Sequence, residues 1–286
     1  MTKVLLFIIF LVAVTPCFGG EIPFTLEKGF IVITAKAEKD VPMQAVVFTG
    51  SPYSYFNKDL LKRLKLDLRS TNETLTSLSR EEAITFADIR DFIVADEKPV
   101  EVRMRPRSLE TIIKAVGHNI DAILGIDYLD GRIVQFDFQK HVLRFLDKPP
   151  FDYTNTNREG RVALAFRMEE HLRTVFGSSI SLPVTESVML NGQKMRTLFN
   201  TAVAYPVSIG PFAKKRFSFG KEAESSGRVQ LSSVNLGGYD MTGVPALLRN
   251  DWDDDEKRYA AVLGIGLLQN FIVTFDWKNK WIALER

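Results

Sequence analysis

The 286-residue sequence predicts an all-β chain made of two homologous lobes. Three observations predict it. Short runs rich in β-branched and aromatic residues alternate with turn residues. A stretch near the middle of the chain returns, without gaps, at its end. Helix-period segments are scarce.

Taken in chain order, Ile31 to Ala37 and Met43 to Phe48 read as strands around a turn at Glu38-Lys39-Asp40. Asn57 is a good helix cap, and Leu60, Leu61 and Leu64 follow at helical spacing, so one helix is expected there. Further strands fit Val100 to Arg105, Ile133 to Phe136 and Val142 to Phe145. In the second half, Val188 to Leu190 and Met195 to Phe199 flank Asn191-Gly192, a dipeptide suited to a tight hairpin because both residues tolerate positive φ. Gly237-Gly238 reads as another hairpin turn. Val244 to Leu248, Ile272 to Phe275 and Trp281 to Leu284 complete the set.

The repeat pairs Ala122 to Leu146 (AILGIDYLDGRIVQFDFQKHVLRFL) with Ala261 to Glu285 (AVLGIGLLQNFIVTFDWKNKWIALE). About nine of roughly 25 positions are identical, which duplication gives easily and chance rarely does. Each copy closes a half of similar length. Asp147 to Gly160, rich in Pro, Asn, Thr and charge, reads as the join. The expected division is a leader over 1–19, a first lobe over 20–147, a linker over 148–160 and a second lobe over 161–286.

The leader is read from Lys3, the apolar run Val4 to Val14, and Thr15-Pro16-Cys17-Phe18-Gly19-Gly20. A positive start, about eleven apolar residues and small residues beyond them describe a secretory signal. The run is too short for a bilayer, which needs about 20 apolar residues, so no integral span is expected once it is removed. Export would place the protein in the periplasm, at the cell surface or outside the cell. Cys17 is the sole cysteine and lies inside the leader, just before the expected cut after Gly19; as an alternative lipid anchor it is disfavoured by Pro16, which stands where a lipoprotein signal wants a small residue. A mature chain without it has no disulfide, thiol nucleophile or thiolate ligand.

Composition excludes other classes. Apolar residues make up 45% and charged residues 25%, the balance of a chain with a true core. Net charge is +2, or +1 without Lys3, too small for a nucleic-acid partner. Lys214-Lys215-Arg216 reads as a solvated helix face. His118, His141 and His171 lack zinc spacing and read as loop or surface residues. No phosphate loop and no G-x-S-x-G elbow occurs. Asp251 to Glu256 lacks the alternation of a calcium loop and reads as a solvated acidic loop. Asn72-Glu73-Thr74 fits an N-glycosylation sequon. The sequence calls for no metal and no cofactor.

Each half also carries an apolar strand running into a Thr turn, followed later by two apolar residues and a glycine. In this the chain resembles the retropepsin-like aspartic peptidases of bacteria over nearly its whole mature length. The resemblance implies a bilobal acid-protease fold of two β-barrel-like lobes with short helices. The apolar-apolar-Gly elements are Ile123-Leu124-Gly125 and Val262-Leu263-Gly264. The site loops are Val46-Val47-Phe48-Thr49-Gly50-Ser51 and Leu198-Phe199-Asn200-Thr201-Ala202. The family's catalytic aspartates would stand at Phe48 and Asn200, so the resemblance implies that neither is present. It further implies loop-anchoring roles for Thr49, Gly50, Thr201, Ala202, Gly125 and Gly264. Ser51, Tyr53 and Tyr55 are candidates for contact with a ligand in the cleft, with Phe56 close by.

The missing groups matter because the family's carboxylates lie about 3 Å apart and share one proton, one activating water while the other polarises the carbonyl. Phe48 cannot take a proton or hold water, and Asn200 cannot titrate. Loss of a general base alone costs on the order of 10²–10⁴ in rate. Asp121, Asp127, Asp137, Asp276 and the Asp240-Met241-Thr242-Gly243 segment fall off the site pattern. Three readings of function follow: a non-catalytic module holding an extended peptide or protein segment, an active peptidase with recruited carboxylates, or a structural envelope protein. Two lobes in one chain let a monomer form the cleft by itself.

Overall fold

The computed structural model describes residues 20–38, 40–77, 80–95, 97–154, 160–173, 179–217, 219, 225–250 and 259–286. The expected leader, Cys17 and the acidic run at 251–256 lie outside them, as do the side chains of Asn72, Glu73, Thr74 and His171.

The first half runs β1 (Ile22–Glu27), β2 (Phe30–Ala37), β3 (Val41–Val47), β4 (Tyr55–Asn57), α1 (Lys58–Leu64), β5 (Arg69–Ser77), β6 (Arg80–Val94), β7 (Val100–Arg107), α2 (Glu110–Val116), β8 (Ala122–Leu124), α3 (Ile126–Leu129), β9 (Ile133–Asp137) and β10 (Val142–Leu146). The second continues with β11 (Arg161–Ala165), β12 (Arg167–Arg173), β13 (Ser179–Leu190), β14 (Gln193–Phe199), β15 (Val207–Ile209), α4 (Pro211–Lys214), β16 (Arg228–Leu231), β17 (Val234–Leu236), β18 (Tyr239–Met241), β19 (Val244–Leu248), β20 (Ala261–Leu263), α5 (Ile265–Leu268), β21 (Ile272–Asp276) and β22 (Trp281–Glu285). The chain is all-β and bilobal, with short helices. Among the described residues no helix is long and apolar enough to cross a membrane.

Local chemistry accounts for much of this. Phe30–Ala37 alternates buried and exposed residues along its second half, the period-2 pattern of a strand with one wet face. Asn191 and Gly192 both take positive φ, and Leu190 pairs with Gln193 across them. Gly237 and Gly238 also take positive φ and turn β17 into β18. Helix α1 starts after Asn57, but the Asn57 side chain makes no capping hydrogen bond; only its extended backbone does the work of a boundary. Lys65 ends the helix in the left-handed region. The predicted strand to Phe48 stops one residue earlier, at Val47.

Both lobes repeat one arrangement. β3 runs parallel to β8, with Val47 opposite Leu124, and β4 lies antiparallel on β8's other side and parallel to β7. In the second lobe β14 runs parallel to β20, with Phe199 opposite Leu263, and β15 takes the place of β4 beside β20 and β19. The site strand of each lobe is therefore held by the apolar-apolar-Gly strand of its own half.

The lobes do not merely touch. Strands β11, β22, β21, β9, β10 and β1 form one continuous stretch of sheet that crosses from one half of the sequence to the other. At its centre β9 and β21, the two copies of one repeated strand, pair antiparallel with Gln135 opposite Thr274. Gln135 and Thr274 are themselves equivalent positions, so an approximate twofold passes between them. Gln135 Nε2 donates to Thr274 Oγ1 at 3.2 Å. On the same strands Phe136 and Phe275 meet edge to face at 5.9 Å. Trp277 is fully buried against Phe275.

Candidate functional site

The site forms where β3 and β14 end side by side. Val47 and Phe199 are completely buried, and the chain turns at once into Phe48-Thr49-Gly50 and Asn200-Thr201-Ala202. Thr49 N donates to Thr201 Oγ1 at 3.0 Å, and Thr201 N donates to Thr49 Oγ1 at 3.1 Å. Thr49 Oγ1 in turn donates to Phe199 O at 3.1 Å, and Thr201 Oγ1 to Val47 O at 2.7 Å. Both threonines are wholly buried. Each hydroxyl therefore accepts one bond and donates one, all across the lobe boundary, which leaves no polar atom of the exchange unsatisfied.

Beneath each loop the glycine of the apolar-apolar-Gly element makes close approach possible. Gly125 and Gly264 have ordinary extended backbones, so freedom of φ is not what they supply. A Cβ on Gly125 would run into the carbonyls of Tyr53 and Ser51, and one on Gly264 into those of Val203 and Tyr205. The next residues clip the loops down: Ile126 N donates to Ser51 O and Ile265 N to Val203 O, each at 2.7 Å. The loop starts are matched too, with Phe48 N bonded to Leu124 O and Asn200 N to Leu263 O, each at 2.9 Å.

At the tips the symmetry ends. Asn200 is half-buried; its Oδ1 accepts from Ala202 N at 2.8 Å and its side chain lies against Gly50, which has no room for a Cβ. The Phe48 ring, also half-buried, stacks on Phe30 at 5.9 Å. It joins a small apolar cluster of the first lobe formed by Val32, Val46, Leu109, Ile120 and Ile123, with Tyr55 and the Ile112 and Ile113 face of α2. One tip is an amide held by its own loop, the other a ring held by a neighbouring core. Neither takes up or releases a proton near neutral pH.

The remaining sequence candidates disperse. Ser51 is buried, and its hydroxyl donates to Tyr53 O at 2.8 Å, bracing its own loop. Tyr55 stands beside Phe48, with Arg107 over its ring at 4.9 Å; burial pushes its phenol pKa up. Tyr53 faces Arg105 instead, whose Cζ lies 3.4 Å from the ring centroid. Phe56, expected near the cleft, is fully buried in the main core, because β4 alternates and Phe56 points opposite to Tyr55.

Each carboxylate considered as a substitute is committed elsewhere. Asp121 accepts from Gln44 N at 2.9 Å and Asn119 Nδ2 at 2.7 Å and pairs with Arg63. Asp137 and Asp276 cap the turns after their strands, through Lys140 N and Asn279 N. Asp240 lies on β18 and bonds Asn235. Among the described residues no three His, Cys, Asp or Glu side chains gather as a metal site. His118 lies exposed on a loop and bonds half-buried Glu27 at 2.6 Å, which raises its pKa; His141 sits at positive φ in the β9–β10 turn.

Sequence reading missed one feature of the loop. Asp127, on α3, accepts from Ser54 N at 2.9 Å, Ser54 Oγ at 2.6 Å and Tyr128 N at 2.8 Å, while Ser54 Oγ accepts from Gly125 N at 3.0 Å. Asp127 remains exposed on one side, but the protein packed against the other displaces water, and this desolvation pushes its pKa up. The signal available was a serine three residues beyond Ser51 and an acid two beyond Gly125.

No family model matches the chain, and no curated protein matches it. Its backbone does match solved structures. The aspartic proteinase from Irpex lacteus aligns with a TM-score of 0.56 and 12% identity, covering 93% of this chain and 96% of its own. Basic 7S globulin from soybean aligns with a TM-score of 0.52 and 12% identity, over 94% and 95%. The fold is aspartic-peptidase-like. At such identity the likeness concerns the backbone, and the chemistry is left to this chain's own residues.

Proposed function

We propose that this protein is an exported pseudo-peptidase of retropepsin-like descent that holds an extended peptide or protein segment between its lobes without cleaving it. One observation carries the reading: the four-bond threonine exchange is complete around tips that bear a ring and an amide. The pairing keeps two loops in register at a lobe boundary, where a segment lying between the lobes would meet both of them. A carboxylate pair is what the acid-base chemistry requires, and Phe48 and Asn200 cannot supply it. An apolar floor beside an amide suits a peptide strand recognised through its backbone and alternate side chains. Export rests on the leader pattern at 1–19.

The experiment is digestion of a mixed peptide library by the mature protein from pH 3 to 7, beside the Phe48→Asp/Asn200→Asp double variant, with retention of peptides on immobilised protein measured in parallel. The expected result is retention of a peptide subset and no cleavage by the natural protein. Cleavage blocked by a transition-state-mimic inhibitor would overturn the reading in favour of an active enzyme. Absence of retention at every pH would overturn the binding half of it.

A further inference from the structure

Beside the site loop, on the flank of the first lobe, lies a depression of about 520 Å³ walled by Tyr53, Val102, Arg105, Asp127, Tyr128 and Arg132. A second depression of about 310 Å³ shares Tyr53, Asp127 and Asp130 with it and extends toward Met168, Ser181 and Lys280 of the other lobe. Volumes of this size accept small molecules or single side chains. Neither depression involves Phe48 or Asn200.

Its charges are nearly all spoken for. Arg103 bonds Asp88 at 2.9 Å and Arg132 faces Glu97 at 4.0 Å. Asp130 bonds Lys280 at 3.1 Å, and Glu101 faces Arg90 at 3.9 Å. Both oxygens of Asp127 are taken by Ser54 and Tyr128. Arg105 differs. Among the described residues it forms no ion pair with a carboxylate; its Cζ lies 3.4 Å from the centroid of the Tyr53 ring, and its charge is felt at the Asp127 carboxyl, whose oxygens are already bonded to Ser54 and Tyr128. Stacking fixes the plane of a guanidinium and leaves its edge N–H groups directed outward, the geometry that receives a carboxylate with two parallel hydrogen bonds. Val102 and Tyr128, both buried, provide apolar wall next to it.

From this we infer that the depression is a carboxylate-binding site, with Arg105 as its anchor and a short apolar stem of the ligand lying on Val102 and Tyr128. The ligand is a carboxylate on a short apolar stem, the chemistry that a peptide C-terminus and an acidic side chain share. The site stands independently of the groove between the lobes.

Four probes test it: N-acetyl-leucine, N-acetyl-glutamate α-amide, N-acetyl-leucinamide and inorganic phosphate, titrated into the mature protein while backbone amide shifts of Val102 and Tyr128 are followed. The first two separate a terminal from a side-chain carboxylate, and saturable shifts with either one support the site. Arg105→Gln is expected to weaken that binding at least tenfold and Arg105→Lys several-fold, since lysine keeps the charge but loses the fork. Arg107→Gln, on the same strand but outside the depression, is expected to change it less than twofold. No saturable shift with either carboxylate, equal binding of the neutral leucinamide, phosphate binding as tightly as the carboxylates, or indifference to Arg105→Gln would each overturn the assignment.

Discussion

The two site loops agree in their backbones and differ in their tips. Phe48-Thr49-Gly50 and Asn200-Thr201-Ala202 start from the same kind of bond, exchange the same four threonine bonds and rest on equivalent glycines. Yet one ends in a ring packed on Phe30 and the other in an amide folded onto its own loop. The difference extends outward. Where the first lobe fastens its loop with Ser54 and Asp127, the second has Pro206 and Gly266, which pack so closely that a Cβ on Gly266 would meet the Pro206 ring at 2.8 Å. The fold demands particular residues where backbones must cross or buried groups must be satisfied. It makes no such demand at the tip, which is the position that catalysis would specify.

The largest test of that comparison is at the glycines. Gly125→Ala and Gly264→Ala each drive a methyl into two backbone carbonyls, those of Tyr53 and Ser51 in the first lobe and of Val203 and Tyr205 in the second. Each is expected to destabilise the protein by about 3 kcal/mol or more, above the common range for overpacking because backbone yields less than side chain. Urea unfolding of the two variants measures this, and a loss under about 1 kcal/mol at either would break the claim of equivalence. Next come the threonines. Thr49→Val and Thr201→Val each leave two buried backbone groups without partners and are expected to cost about 2–4 kcal/mol. The four bonds are disjoint, so simple counting makes the double variant additive; if they act as one unit, the cycle shows a coupling above about 0.5 kcal/mol. Markedly unequal single losses would mean that the exchange is symmetric in geometry only.

The smallest effect belongs to the asymmetric fastening. Desolvation outweighs the bonds from Ser54 and Tyr128 and holds the Asp127 midpoint above its ordinary 3.8. The folded chain thus holds this proton more tightly than the unfolded one. Its contribution favours folding in acid and is lost as pH rises through the folded midpoint. Measured against Asp127→Asn, the stability of the natural protein should therefore fall modestly as pH rises above 3.8, the open side of the carboxyl keeping the drop small. A carboxyl titration by NMR with its midpoint at or below 3.8 would contradict this.

Much of the frame was legible in the residues. The repeat located β9, β10, β21 and β22, because a buried strand tolerates few substitutions and kept its pattern in both copies. The Asn191-Gly192 turn and the α1 start were readable from local conformational preference. The long hairpins β5–β6 and β12–β13 were not. Arg69–Ser77 and Arg167–Arg173 are mostly polar, so hydrophobic period gives them no signal, and only pairing with a neighbour makes them strands. Helix α2 escaped for a related reason: none of its residues is fully buried, and Ile112 and Ile113 show their purpose only beside Phe48. The joining of both halves in one sheet was invisible, since the repeat reveals two like strands but not that they bond each other. At the site, Tyr53, Tyr55 and Phe56 are adjacent in sequence yet end in a charged depression, an apolar cluster and the main core. Strand alternation separates Tyr55 from Phe56, and only the fold places Arg105 over Tyr53.

The β9–β21 pairing carries a consequence for how the molecule comes into being. A single strand edge of the first lobe is covered by its own duplicate from far along the chain, and until that duplicate arrives the edge is bare main chain, ready to accept any strand of the right length. The two halves are thus each other's protection against misassembly: neither is finished alone, and the seam that joins them is closed by a partner the same gene carries within itself.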